Sequence, residues 1–150
     1  MWSALFTFTN GLAIAGWLLL AFAPRKPLVH SAILYLGVSL LCLIYFVVFA
    51  LVLSGAVDPA KVAGAGQAGL TSIAGVRALF QSDGGVVIGW THYLAFDLFT
   101  GLWIARDADH KGFSRALQVP FLLATFMAGP IGLLAWLIMR ERRARLGGRG

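Results

Sequence analysis

The sequence predicts an all-α fold: a four-helix transmembrane bundle, with a short amphipathic helix in the loop between spans two and three. Three observations predict it. The chain is 59% hydrophobic and only 12% charged over 150 residues, whereas a soluble domain carries about 25% charged residues. Its mean hydropathy is +0.84. Four apolar stretches reach the ~20 residues that a helix needs to cross hydrocarbon. The whole chain therefore reads as a single integral membrane domain.

The first span covers about 3–23 and ends at the sequence PRKP. It lacks the basic start of a cleaved signal peptide, because Met1 and Trp2 lead directly into the apolar run. The second covers about 29–53. The connection that follows opens with Gly, Ala and Pro, residues of flexible chain. Leu70, Ile73, Val76, Leu79 and Phe80 then recur at helical spacing, with Arg77 on the flank. That stretch is too short to span, so a helix on the membrane surface or capping the bundle is expected. The third span covers about 86–105 and the fourth about 117–139, before a basic tail at 140–150. Pro130, without an amide proton, is expected to kink or loosen the fourth span.

Four spans place both termini on one side. That side holds Lys61, Arg77 and the tail arginines Arg140, Arg142, Arg143, Arg145 and Arg149. Arg25, Lys26, Arg106, Lys111 and Arg115 lie opposite. The dense tail favours a cytoplasmic location for both termini, against the uncharged N-terminal flank. The formal net charge of +6 is a membrane flank, not a nucleic-acid surface: no binding module or aromatic interleaving accompanies it. A single cysteine, Cys42, leaves no intrachain disulfide and no thiolate metal cluster.

The third span carries the chemistry. Its stretch WTHYLAFDLFTGLW contains His92, Tyr93 and Asp97. A carboxylate at the centre of a membrane helix costs about 3 kcal/mol or more, which marks a functional site or a buried packing acceptor. At about 100° per residue, Trp90, Tyr93, Asp97 and Gly101 share one face. Tyr93 and Asp97, four apart, can interact. His92 lies about 140° from Asp97, so the two meet only if the third helix is enclosed on all sides. Trp90 and Trp103 also suit interfacial anchors, and Gly101 and Gly129 also suit close helix packing. The following RDADHKGFSR offers Asp107, Asp109 and His110, but helical spacing spreads the two aspartates by about 200°, so a solvated turn broken at Gly112 is expected and no metal site. No nucleophile elbow, phosphate loop, zinc helix or dinucleotide fingerprint occurs.

Two motifs, GW-HYLAFDLF-G-WI--DA over Gly89 to Ala108 and VP-LL-TFM-GP-GLL over Val119 to Leu134, resemble the abscisic-acid-deficient-4-like family. Its plant members are associated with neoxanthin synthesis, and similar bacterial proteins are small four-helix membrane proteins. The resemblance implies a bacterial-type member in the inner membrane. It implies a cofactor-free, neoxanthin synthase-like isomerase acting on a carotenoid, xanthophyll or related isoprenoid. The plant reaction opens an epoxide, loses a proton from the polyene and consumes no redox equivalents. Asp97 is then expected as acid, His92 as base and Tyr93 as orienting donor. Trp90, Gly101, Trp103, Thr125, Gly129 and Pro130 are expected to line a substrate cavity between the third and fourth spans. The alternative is a non-enzymatic pigment- or lipid-binding subunit of a larger membrane complex. Membrane lipid and an isoprenoid ligand are the expected partners, with no nucleic acid.

Overall fold

A computed structural model describes residues 1–57 and 69–147, with side chains to Arg142. The first half of the long loop and the end of the tail lie outside the described residues. Every regular element described is helical: α1 (Trp2–Phe22), α2 (Pro27–Leu53), α3 (Ile73–Leu79), α4 (Asp83–His110), α5 (Arg115–Met127) and α6 (Gly129–Gly147). Of the described helices, α1 and α2 are long and apolar enough to cross a membrane, by length and composition. The chain marks its own helix starts. Pro27 stands at the first position of α2, where a missing amide proton costs nothing. Ser72 and Ser82 cap α3 and α4 by accepting from the amides of Gly75 and Gly85 at 3.0 and 3.1 Å. Gly112, at φ 68°, turns the chain out of α4.

The 28-residue α4 is the axis. Helix α1 runs parallel to it, with Trp90 near Asn10 and Gly101 near Trp17. Helix α2 runs antiparallel, with His92 near Tyr45 and Leu98 near Gly37. Leu98 is fully buried and sits between two glycines: a Cβ on Gly16 would come within 2.6 Å of it, and one on Gly37 within 3.1 Å. These small residues let three backbones approach closely, which is how apolar helices gain packing where hydrophobicity alone cannot drive association. Within α2, Ile33–Ser39 is wound as a π-helix, and the Ser39 hydroxyl bonds the Leu34 carbonyl at 3.0 Å. Around this interior the outer faces are apolar: Phe8, Leu18, Phe22, Phe46, Phe96 and Ile131 are all exposed.

The stretch expected as one span over 117–139 is not one helix. It breaks at Ala128 (φ −158°, ψ 84°), and α6 folds back along α5. Gly132 packs on Thr125, and Trp136 packs edge-on against Phe121 and Phe113. Arg140 thereby returns to Asp107, near the end of α4. The cause lies in "AGPIG", residues 128–132. Pro130 cannot donate to the carbonyl four residues back, and Gly132 admits the α5 backbone at contact distance. The sequence anticipated a kink at Pro130; the chain instead reverses two residues earlier. The short amphipathic helix is present as α3, and Phe80 after it covers Gly89.

Replacing Leu98 by Ala should leave a void where α1, α2 and α4 meet and lower stability by about 2–5 kcal/mol. Thermal melting in detergent measures this, and an unchanged midpoint would show that the Gly16–Leu98–Gly37 contact contributes nothing.

Candidate functional site

The reversal leaves backbone groups without helical partners. The carbonyl of Met127 and the amide of Gly129 fall at the break, and two side chains of α4 meet them. The Tyr93 hydroxyl donates to the Met127 carbonyl at 3.1 Å. The Asp97 carboxylate lies against the Gly129 amide and the Tyr93 hydroxyl. A Cβ on Gly129 would overlap Oδ1 of Asp97, so only glycine admits the carboxylate here. The position suits a negative charge, because α6 begins at Gly129 and the N-terminal end of a helix carries partial positive charge. Asp97 is 7% exposed, and its Oδ2 is buried with no hydrogen-bond partner. One carboxylate oxygen is thus committed to the break and the other is open to a further donor.

The expected site residues separate into groups. Tyr93, Asp97 and Gly129 come together. Trp90 adjoins them: it stacks on Tyr93 at 5.4 Å and donates its indole proton to Asn10 at 3.0 Å. Pro130 lies in the first turn of α6 beside Gly129. His92 does not join them. It is exposed on the α2 side, with its ring tilted against those of Phe96 (4.6 Å) and Tyr45 (5.6 Å). Helix rotation turns it away from Asp97, and the two side chains do not meet. Gly101 is filled by Trp17 rather than open to a ligand. Thr125 is buried, bonds the Phe121 carbonyl at 2.7 Å and receives Gly132. Trp103 lies under the guanidinium of Arg140 at 5.5 Å.

Ten residues beyond Asp97, the expected solvated turn is instead the final turns of α4, knitted to its neighbours. Asp107 accepts from Trp136 at 3.0 Å and Lys111 at 3.0 Å, and pairs with Arg140 at 3.3 Å. Gln118, fully buried, donates to Asp109 at 2.8 Å and accepts from Arg25 at 2.9 Å. Arg25 also faces Asp109 at 3.6 Å. Burial pulls the Arg25 guanidinium below its ordinary pKa; Asp109 opposes that and Arg115 adds to it. Among the described residues no group of three metal-ligating side chains converges. Of this network only Asp107 falls within the two family motifs; Gln118 precedes the second and Arg140 follows it.

A groove of about 260 Å³ runs between α1 and α5, with Trp17 and Phe126 at one end, Phe22 and Val119 along it, and Arg25 and Arg115 at the other. Asp97, Tyr93 and His92 do not line it.

Among the described residues this geometry defines an all-helical body with an apolar exterior, two helices long and apolar enough to cross a membrane, and a buried carboxylate held at a helix break. The family described as ABA DEFICIENT 4-like matches residues 4–136, and the chain belongs to that family. No curated protein and no solved structure matches the chain.

Substituting Gly129 by Ala should displace the Asp97 carboxylate from the break, at a cost of about 1–3 kcal/mol from overpacking. In the Asp97→Ala background the same change should be nearly neutral. A double-mutant cycle of thermal stabilities measures the coupling, and strict additivity would mean that the two residues do not press on each other.

Proposed function

We propose that the chain is a membrane-embedded, cofactor-free isomerase of a carotenoid or related isoprenoid, in which Asp97 and Tyr93 handle the proton. The observation that carries this is the buried, unpartnered Oδ2 of Asp97 beside the Tyr93 hydroxyl. An ionisable group in such a position is a functional-site hypothesis by default. For a 5,6-epoxide, Asp97 in its acid form gives a proton to the epoxide oxygen as the C–O bond breaks. The oxygen becomes a tertiary alcohol. The resulting carboxylate takes the proton that leaves the polyene, and the allene forms. One proton enters and one returns, so no second base is required and the exposed position of His92 is no obstacle. Tyr93, fixed by its bond to Met127, orients the carboxyl.

A second reading has its own support. The groove between α1 and α5 contains none of the proton-handling residues. A non-enzymatic pigment- or lipid-binding subunit of a larger membrane complex would need a groove for its ligand and no proton-handling residue. Asp97→Asn separates the two readings, because it keeps the shape and removes the titratable proton. Incubated with a xanthophyll epoxide and followed by chromatography, the wild type should convert it, and the variant should lose at least about 100-fold in rate while still retaining pigment. Retention without conversion by either protein would leave the binding-subunit reading.

The membrane placement belongs to the same proposal, with the bacterial inner membrane as the setting. Helices α1, α2 and α4 cross the bilayer, and α5–α6 is a re-entrant hairpin whose tip stops near mid-depth. Asp97 is ten residues from Asp107, about 15 Å along α4 at ~1.5 Å per residue, half of a ~30 Å hydrocarbon core. Charge supports the orientation. Arg25, Lys26, Arg106, Lys111, Arg115, Arg140 and Arg142 gather at one end, while Arg77 lies at the other. The basic end is therefore cytoplasmic and Met1 is outside. This replaces the expectation that the tail and the 54–84 loop share a face. In a Cys42→Ser background, Ala56→Cys should react with an impermeant maleimide in intact cells and Arg142→Cys only after permeabilisation. Labelling of both from the same side would restore a full fourth span.

A further inference from the structure

We infer that the groove between α1 and α5 is a binding site for one acyl chain of an anionic phospholipid, its phosphate held by Arg115 and Arg25. The inference goes beyond the isomerase reading and uses none of its residues. The groove is built in two chemically distinct parts. Its walls are hydrocarbon and aromatic: Trp17, Phe22, Val119 and Phe126. These side chains are half-buried or exposed, so the groove opens sideways to whatever surrounds the protein. Its rim is cationic, with Arg25 from the α1–α2 link and Arg115 from the first turn of α5.

The two guanidiniums are not equivalent. Arg25 is engaged with Gln118 and Asp109. Arg115 donates to the carbonyls of Ala23 (2.6 Å) and Ala21 (3.4 Å), and among the described ion pairs it has no carboxylate. The carbonyls orient Arg115 over the groove without neutralising it. Two like charges therefore share one apolar rim, and an anion placed between them relieves the repulsion. Guanidinium and phosphate match in shape as well as charge, since two N–H groups can meet two oxygens.

Length selects the chain. From Ile14 to Arg25 the groove follows α1 and the link after it for about 15 Å, the depth of one leaflet. A polyene that spans the bilayer with neutral ends would overrun it and has no use for the arginines. A phospholipid in the basic-side leaflet places its phosphate at the rim and its chain end at Trp17 and Phe126. Basic recesses between membrane helices on the cytoplasmic side take acidic headgroups in this manner.

The test uses the full chain in a neutral detergent, with thermal midpoint as readout. Short-chain phosphatidylglycerol should raise the midpoint at concentrations where phosphatidylcholine of equal chain length does not. Arg115→Gln should weaken the phosphatidylglycerol effect about fivefold or more, and Val119→Trp should abolish it by filling the groove while the arginines stay. Arg115 also ties down the end of α1, so Val119→Trp decides the matter if Arg115→Gln does not fold. Asp97→Asn should keep the lipid preference whether or not the isomerase reading holds. Equal response to the two lipids overturns the proposal, as does an unchanged preference in Val119→Trp. A shift reproduced by inorganic phosphate alone removes the chain from it, and tighter binding of farnesyl diphosphate than of phosphatidylglycerol replaces the phospholipid.

Discussion

The structure depends on how two peptide groups are satisfied where the chain reverses at Ala128. In an apolar surround a carbonyl and an amide freed from a helix cost several kcal/mol unless something meets them. Tyr93 meets the Met127 carbonyl, and Asp97 meets the Gly129 amide. Both come from one face of α4, four residues apart, and the distance between them is fixed by the helix that carries them. The hairpin could not end where it does without them, and Asp97 could not be buried without the hairpin. The carboxylate thus has a structural duty with one oxygen and a free valence with the other. Any chemistry assigned to it has to operate on that second oxygen.

The helices were legible because hydropathy registers a buried or lipid-facing segment wherever it lies. The direction of the chain was not. A window over 117–139 counts apolar residues and cannot see that α5 and α6 are antiparallel. What reverses them is local: Pro130 without its donor, and Gly132 small enough for Thr125 to lie against it. Both residues were visible, but a kink and a reversal share the same residue types, and only contacts between Trp136 and Phe121 distinguish them. Once the reversal is known, the charge pattern ceases to conflict. The tail joins the PRK and RDADHKGFSR segments at one end instead of opposing them.

The candidate site was legible in part for a similar reason. Rotation of 100° per residue puts Tyr93 with Asp97 and turns His92 away, and the structure follows that arithmetic. What rotation cannot supply is the identity of the facing element. Gly101 proved to be the seat of Trp17 on α1. Asp107 and Asp109, which in isolation suit a solvated turn, acquire partners from Lys111, Trp136, Arg140, Gln118 and Arg25, most of them far along the chain. Polar residues in an apolar sequence are read as exceptions; here they are the fastenings between segments whose outer faces offer little to hold them together.

The hairpin also gives the molecule an uneven girth. At the level of Asn10 and Trp90 the cross-section contains, among the described residues, three long helices, α1, α2 and α4. At the level of Asp107 it contains five, because α5 and α6 have joined. A helix with its side chains is about 10 Å across, so the described helices taper from one end of α4 to the other. Set in a bilayer as proposed above, such a body would act as a wedge, a mechanical load that bends the sheet of lipid toward the narrow end.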